Sequence, residues 1–395
     1  MEQLQKTGGR PIFGRRRVVH CACIADQQHD FRSLIAEALQ DLGFVTCECA
    51  QVGALVPVLD AYLPELIVVG LSGGEIEAAE ILNTLASKRF SGMVLLLGSQ
   101  DDLSIPNTLA VLGDKLGLAI LPMLPTSFGS DNLRDSVAAL PPSVTANPQV
   151  DLTEALRAGW LELWYQPKTD ARTLALRSAE ALVRIRHPYW GVVNPGSFLP
   201  DSSDPDFQAL SEFVIQQAIA DWTWFRTQHK PVDLSINLPM SFLRKRASCE
   251  HLCRQVANNS SFPGLIVEVD GNDILPDLLL ACDLAKRLRF QRIAISIDDV
   301  GKEWLAFTGL DDFPFVKIKV DREFVSGCAD DASKRQVCRQ IIKLAQGYGA
   351  RTVAEGVETR ADFLVARELG FDLIQGFLFG KPMTAWKFAR TMLRH

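Results

Sequence analysis

The run Ile293-Ala294-Ile295-Ser296-Ile297-Asp298-Asp299 decides how the chain is read. Apolar residues alternate with small ones over five positions, as in a buried strand, and the run stops on two adjacent carboxylates. The same arrangement recurs through residues 151–395. Leu234-Ser235-Ile236 ends on Asn237, Leu265-Ile266-Val267 on Glu268, and Val316–Ile318 on Lys319. Thr352–Ala354 ends on Glu355, and Leu373-Ile374 on Gln375. Helical stretches separate these runs, and the segment's 245 residues come close to the roughly 250 of a (β/α)8 barrel. Such barrels carry their active sites at the C-terminal ends of the strands. Polar residues are common at any exposed strand end, so one such run means little. Six in register, rich in carboxylates, predict a site on one rim.

The residue types indicate its chemistry. Oxygen ligands from several strands, without a His/Cys cluster, suit hard cations such as Mg2+ or Mn2+. Adjacent carboxylates such as Asp298-Asp299 can bridge two ions, and a two-ion site is a device for hydrolysing phosphate esters. The residues alone thus predict a metal-dependent phosphodiesterase.

Upstream, Val18–Ile24, Leu66–Leu71 and Met93–Leu97 read as buried parallel strands. Phe31–Leu42 has helical periodicity and stops at Gly43, a suitable residue after a helix end. This alternation predicts a doubly wound, flavodoxin-like α/β domain over 18–140. Residues 1–17 form a basic tail with Arg15, Arg16 and Arg17. The Pro-rich stretch within 141–150 reads as a linker to the barrel of 151–395.

Composition narrows the alternatives. At 47% hydrophobic and 22% charged residues, the chain has the material for packed cores. No apolar run approaches the roughly eighteen residues that cross a bilayer, and the N-terminus carries no secretory pattern, so a cytoplasmic protein without a membrane span is expected. Residues 1–150 hold 10 Lys+Arg against 16 Asp+Glu, and the remainder is balanced. That distribution builds no basic field for nucleic acid. The nine cysteines are an odd number, which argues against a disulfide framework. Cys21-Ala22-Cys23 and Cys47-Glu48-Cys49 each place two thiols on one strand face. Together with Cys249, His251 and Cys253 they read as small buried hydrophobes rather than a metal site.

Ala179-Glu180-Ala181-Leu182-Val183-Arg184, followed by Arg186-His187-Pro188, resembles the signature of the EAL-domain family, phosphodiesterases that hydrolyse cyclic di-GMP. Tyr165-Gln166-Pro167, Ser235–Leu238, Val267–Val269, Asp298-Asp299, Lys319–Asp321, Ala354–Glu358 and Gln375–Phe377 continue the resemblance in order. It implies that Glu180, Asn237, Glu268 and Asp298 ligate one metal, and that Asp299 and Glu355 help hold a second, with Asp298 shared. Lys319 would act with Glu355 in catalysis, orienting or polarising the attacking water. Gln166, Arg184, Asp321, Glu358 and Gln375 would contact or organise the substrate. Two Mg2+ or Mn2+ ions, linear 5′-pGpG as product and a homodimer are also implied. Ca2+ is expected to inhibit, because its longer bonds misalign the water.

Two departures keep a second reading open. The family's DDFGTG is here Asp298-Asp299-Val300-Gly301-Lys302-Glu303-Trp304, and Gly271 stands where a second Glu follows Glu268. In the family, that Glu steadies the loop after the aspartate pair. The alternative is a catalytically weak or inactive cyclic di-GMP receptor that signals through partner binding.

The N-terminal domain is similar to a response-regulator receiver, but a degenerate one. Gly70 stands at the phosphoacceptor position, Asp26 remains of an acidic pair after Ala25, and Met123 replaces the expected lysine. Only Ser99 fits the hydroxyl position. The domain is read as a pseudo-receiver that controls the barrel or binds a signalling partner without phosphorylation.

Overall fold

A computed structural model of the chain describes residues 20–62, 64–98, 104–125, 130–138, 150–187, 190–199, 204–228, 232–310 and 312–393. The predicted tail, most of the linker, Val18, Pro188 and Ser99 lie outside the described residues. Backbone packing divides the chain into two units, 1–150 with 185–197, and 151–184 with 198–395.

The first unit is a parallel sheet of β1 (Cys21–Ala25), β2 (Val45–Cys49), β3 (Leu66–Val69), β4 (Met93–Gly98), β5 (Ala119–Ile120) and β6 (Leu124–Pro125). The order is β2-β1-β3-β4-β5, with β6 also on β4, which is the flavodoxin-like winding expected. Because side chains alternate along a strand, each strand feeds two cores. Cys21, Cys23, Ile67 and Val94 pack on one face with Leu55 and Ile81. Ala22, Ile24, Val68 and Leu95 pack on the other with Ile35 and Leu133. The two cysteine strands are neighbours, with Cys23 opposite Cys47 in register. None of the four cysteines of β1 and β2 forms a disulfide, and all are buried in one apolar core.

The second unit closes a barrel. Its strands are β7 (Leu161–Asp170), β8 (Leu176–His187), β10 (Asp233–Asn237), β11 (Leu265–Asp270), β12 (Ile293–Val300), β13 (Lys317–Val320), β14 (Arg351–Ala354) and β15 (Leu373–Ile374). The end of β8 and the short β9 (Gly191–Val193) that pairs with it group with the first unit, and β16 (Met383–Thr384) pairs with β7. From β8 through β15 all neighbours are parallel, whereas β7 runs antiparallel to β15 and also pairs with β8 to complete the circle. The eight-stranded barrel expected from the sequence is present, with this one strand reversed. The cause is local: residues 171–175 form a tight turn between β7 and β8, with Leu174 N donating to Asp170 O at 2.9 Å. A hairpin that short can only reverse the chain, since parallel neighbours need a crossover of a dozen residues or more.

Candidate metal centre

Parallel register brings the strand ends together. Glu180 on β8 lies opposite Ser235, Asn237 opposite Glu268, and Asp270 opposite Asp298. Lys319 on β13 lies opposite Val353, while Glu355 and Gln375 follow β14 and β15 directly. Gln375 N donates to Ala354 O at 2.9 Å, which pins the residue after β15 beside β14.

Lys319 Nζ stands at the centre of the cluster. It donates to Glu268 Oε2 at 2.7 Å, Asp298 Oδ2 at 2.9 Å and Glu180 Oε2 at 3.1 Å, and pairs with Glu355 Oε1 at 2.6 Å. Glu180 also accepts from Asn237 Nδ2 at 2.7 Å and Gln375 Nε2 at 2.8 Å. Gln375 Nε2 reaches Gln166 Oε1 at 3.1 Å, and Gln166 Nε2 donates to Gly380 O at 3.1 Å. Gln375 Oε1 is buried without a hydrogen-bond partner, an acceptor left over for a bound donor.

A second ammonium lies deeper. Lys168 Nζ donates to Ser235 Oγ at 2.9 Å and to Glu268 Oε1, and approaches Glu180 Oε2 at 3.6 Å. Lys168 was absent from the sequence reading. The signal was available, because Gln166 and Lys168 share one face of β7 by strand alternation.

The electrostatics follow from crowding. Burial favours the neutral form of Glu180, but Lys319 and Lys168 outweigh it and hold its carboxyl below the usual range. Burial raises Asp298 to about 7 against the pull of Lys319, with Glu268 and Glu180 adding repulsion. Burial likewise raises Asp299 and Glu355. Burial penalises the Lys319 ammonium, yet its four carboxylate partners keep it charged far above the ordinary lysine range.

These residues fit divalent cations. Oxygens of Glu180, Glu268 and Asp298 lie within 4.8 Å of one another, as do those of Asp298, Asp299 and Glu355. Asp298 belongs to both groups, as the sharing of two ions requires. With all five carboxylates ionised, Lys168 and Lys319 leave three negative charges uncompensated in a half-enclosed site. An all-oxygen donor set of that charge suits Mg2+ or Mn2+ rather than a soft metal.

A cavity of about 300 Å³ opens over this cluster, lined by Gln166, Glu180, Asn237, Asp298, Asp299, Lys319, Glu355, Glu358 and Gln375. Glu268 lies beneath it, fully enclosed. Two anticipated residues stand off the lining. Arg184 is buried further along β8, with Nη1 donating to Val183 O at 2.8 Å. Asp321 caps the helix Arg322–Val325 by accepting from Glu323 N at 2.8 Å, and acts on Asp299 only through its charge. Arg322, Leu182 and Phe377 line the cavity and were missed. Arg322 follows the Lys319–Asp321 motif directly, so its place next to the motif was the readable signal. Gly356 is required there: its φ is +66°, and a Cβ would come within 2.6 Å of Arg322 Cβ.

The loop after the aspartate pair has its own local structure. Asp299 has φ +50°, and the β12–β13 register slips between Ile297 and Val300. Aspartate is among the few residue types other than glycine that adopt this left-handed conformation readily. Gly301 N donates to Glu303 Oε1 at 2.5 Å, and Lys302 lies over the Phe324 ring at 5.9 Å. Gly271 opens a short helix whose N-cap Asp270 accepts from Asn272 N. In the first unit, Asp26 is buried after β1, Gly70 follows β3, and Met123 lies between β5 and β6.

Comparison with known proteins places these features in a family context. The EAL domain model matches residues 149–382. The bifunctional diguanylate cyclase/cyclic di-GMP phosphodiesterase MucR of Pseudomonas aeruginosa is 30% identical over 264 residues, 65% of this chain and 38% of that protein. The cyclic di-GMP phosphodiesterase RocR of the same organism is 29% identical over 287 residues, 71% of this chain and 72% of RocR. The solved MucR phosphodiesterase in complex with c-di-GMP superposes with a TM-score of 0.55 at 30% identity, covering 60% of this chain and 97% of that one. The EAL enzyme Bd1971, bound to cAMP and cyclic di-GMP, gives 0.57 at 25% identity over 61% of this chain and 67% of that one. The chain spans about a third of the length of the first curated relatives it matches.

Proposed function

The chain belongs to the EAL domain family, and from that premise we propose that it hydrolyses cyclic di-GMP to linear 5′-pGpG in the cavity over Lys319. One cluster carries this function: five carboxylates around Lys319, with Asp298 common to two cation-sized groups. Glu180, Asn237, Glu268 and Asp298 would hold one Mg2+ or Mn2+, and Asp298, Asp299 and Glu355 a second. Divalent cations there would supply Lewis acidity, activating water and neutralising the leaving oxygen. Lys319 keeps its proton at Nζ, from where it would orient or polarise the attacking water. Gln166 and Gln375 orient the substrate through their amides, with Gln375 Oε1 free to accept. Arg322 and Phe377 offer a guanidinium and a half-exposed ring at the cavity wall, matching the phosphate and base of a dinucleotide. Glu358 accepts from Arg322 Nη2 at 3.0 Å and sets its direction.

The proposal extends to a phosphorylation-independent control of the barrel by the N-terminal domain and to a homodimer. No described helix is long and apolar enough to cross a membrane. A second reading, a receptor that holds cyclic di-GMP without cutting it, is favoured by Gly271 and by the self-bonded Gly301–Glu303 loop. The full set of cation ligands favours the enzyme. Purified protein incubated with cyclic di-GMP and Mn2+ or Mg2+, with products separated over time, decides between them. Appearance of 5′-pGpG supports hydrolysis; tight binding without product supports the receptor.

A further inference from the structure

Both oxygens of Glu268 are spoken for, and by different lysines. Oε2 accepts from Lys319 at 2.7 Å, at the centre of the carboxylate cluster. Oε1 accepts from Lys168, whose Nζ also lies 3.6 Å from Glu180 Oε2. Lys168 is itself fixed by Ser235 Oγ at 2.9 Å and is 0% exposed, while Glu268 is 1% exposed. A lysine so enclosed, bonded to a carboxylate, cannot swing into water. Releasing it would leave a buried charge unpaired, which is strongly destabilising.

We propose that Lys168 is a positioning residue that keeps Glu268 a one-oxygen ligand and thereby sets which divalent cation the centre prefers. This rests on the two-cation reading above. Lys319 lines the cavity, so an ion held between Glu180, Glu268 and Asp298 would compete with it for Oε2, whereas Lys168 stands outside that lining and would keep Oε1. Small ions such as Mg2+ and Mn2+ take six ligands at short distance, one oxygen per carboxylate. Ca2+ takes six to eight and gains from a carboxylate that offers both oxygens. The Lys168 clamp withholds the second oxygen, so it discriminates against the larger ion without touching it. Position 168 thus acts from behind the ligand.

The test is cation binding by the full chain without nucleotide, followed calorimetrically with MnCl2 and with CaCl2. The wild-type protein should prefer Mn2+. Lys168→Met keeps most of the length of the side chain, removes the clamp and frees Oε1. It should shift the ratio of the Ca2+ and Mn2+ dissociation constants toward Ca2+ by about tenfold, in line with outer partners of metal ligands. A merely structural role would weaken both ions together and leave the ratio unchanged, and that result would overturn the proposal. Ser235→Ala removes one side-chain oxygen and loosens Lys168 instead of deleting it. It should move the ratio the same way by a smaller factor, and it decides the matter if Lys168→Met does not fold. Wild-type protein that takes up neither ion would overturn the two-cation reading and this proposal with it. Wild-type protein that binds Mn2+, with an unchanged ratio in both variants, overturns this proposal alone.

Discussion

Asp26 holds the space that any side chain at position 70 would need. A Cβ placed on Gly70 would fall 2.6 Å from the Phe31 ring and 2.8 Å from the Asp26 carboxyl carbon. The Asp26 carboxylate is anchored there, accepting from Gln28 N at 2.7 Å and Ser72 N at 3.0 Å. Acetyl phosphate or beryllofluoride should therefore neither modify residues 18–140 nor change hydrolysis, as read by mass spectrometry and by product formation. Gly70→Asp should not restore a phosphoacceptor. It should cost about 1–3 kcal/mol in urea denaturation, because it overpacks a filled site. A phosphorylated Gly70→Asp protein of normal stability would remove the pseudo-receiver reading.

Glu180→Gln and Asp298→Asn each exchange a charged oxygen ligand for a neutral amide. Each should lower hydrolysis by about a hundredfold or more, since even outer partners of metal ligands cost 10–100-fold. Turnover at increasing Mn2+ checks this, and full activity in either variant contradicts the two-cation assignment.

Arg322→Ala removes the cavity's guanidinium together with its pairing to Glu358. A contact made equally to substrate and transition state appears in KM alone. The expected result is a KM raised about tenfold with kcat within a few-fold, the size of one charge-assisted contact. A fall in kcat at unchanged KM would place Arg322 in the chemical step instead.

The loop after Asp299 predicts where catalysis is limited. Replacing 300–303 by Phe-Gly-Thr-Gly together with Gly271→Glu should raise kcat and leave nucleotide affinity within a few-fold, because on the proposed function the loop would align Asp298 and Asp299 while Gln166 and Gln375 would hold the substrate. Gly301 is retained, since a Cβ there would come within 2.6 Å of the Phe324 ring. Gly271→Glu alone should do little, because its partner loop is absent and coupled residues are not additive. Its Cβ would stand 3.3 Å from Asp298 O, a close approach to backbone. An inert combined variant whose parent binds cyclic di-GMP would shift the balance to the receptor reading.

His187 supplies a pH dependence of stability. Burial lowers its pKa from 6.5 to about 4, and its Nδ1 accepts from Trp190 N at 3.1 Å, so the folded protein keeps the ring neutral. The unfolded chain takes up a proton below about 6.5 that the folded chain refuses until about 4. Stability is therefore full above 6.5 and declines as the pH falls from 6.5 toward 4. His187→Gln should flatten that decline by on the order of 1 kcal/mol, measured as the urea midpoint at several pH values. Equal slopes in both proteins would show that His187 is not the titrating group.

Much of this protein was legible in its sequence because strands repeat with a period of two and barrels gather strand ends. Asn237, Glu268, Asp298, Lys319, Glu355 and Gln375 each close an apolar run, and the structure brings all six to one cluster. The doubly wound N-terminal sheet was equally readable, since Cys21, Cys23 and Ile67 alternate with Ala22, Ile24 and Val68 between two cores. What the sequence could not decide was set by contacts between residues far apart in the chain. Lys168 and Glu268 are 100 positions apart, and nothing local to either says that one clamps a single oxygen of the other. The reversed direction of β7, the withdrawal of Arg184 from the cavity and the filling of the Gly70 space by Asp26 are of the same kind. Local periodicity determines which face a residue takes, but which charge meets which across a closed barrel depends on register and on the cost of burying a charge unpaired. Only the tertiary structure determines those.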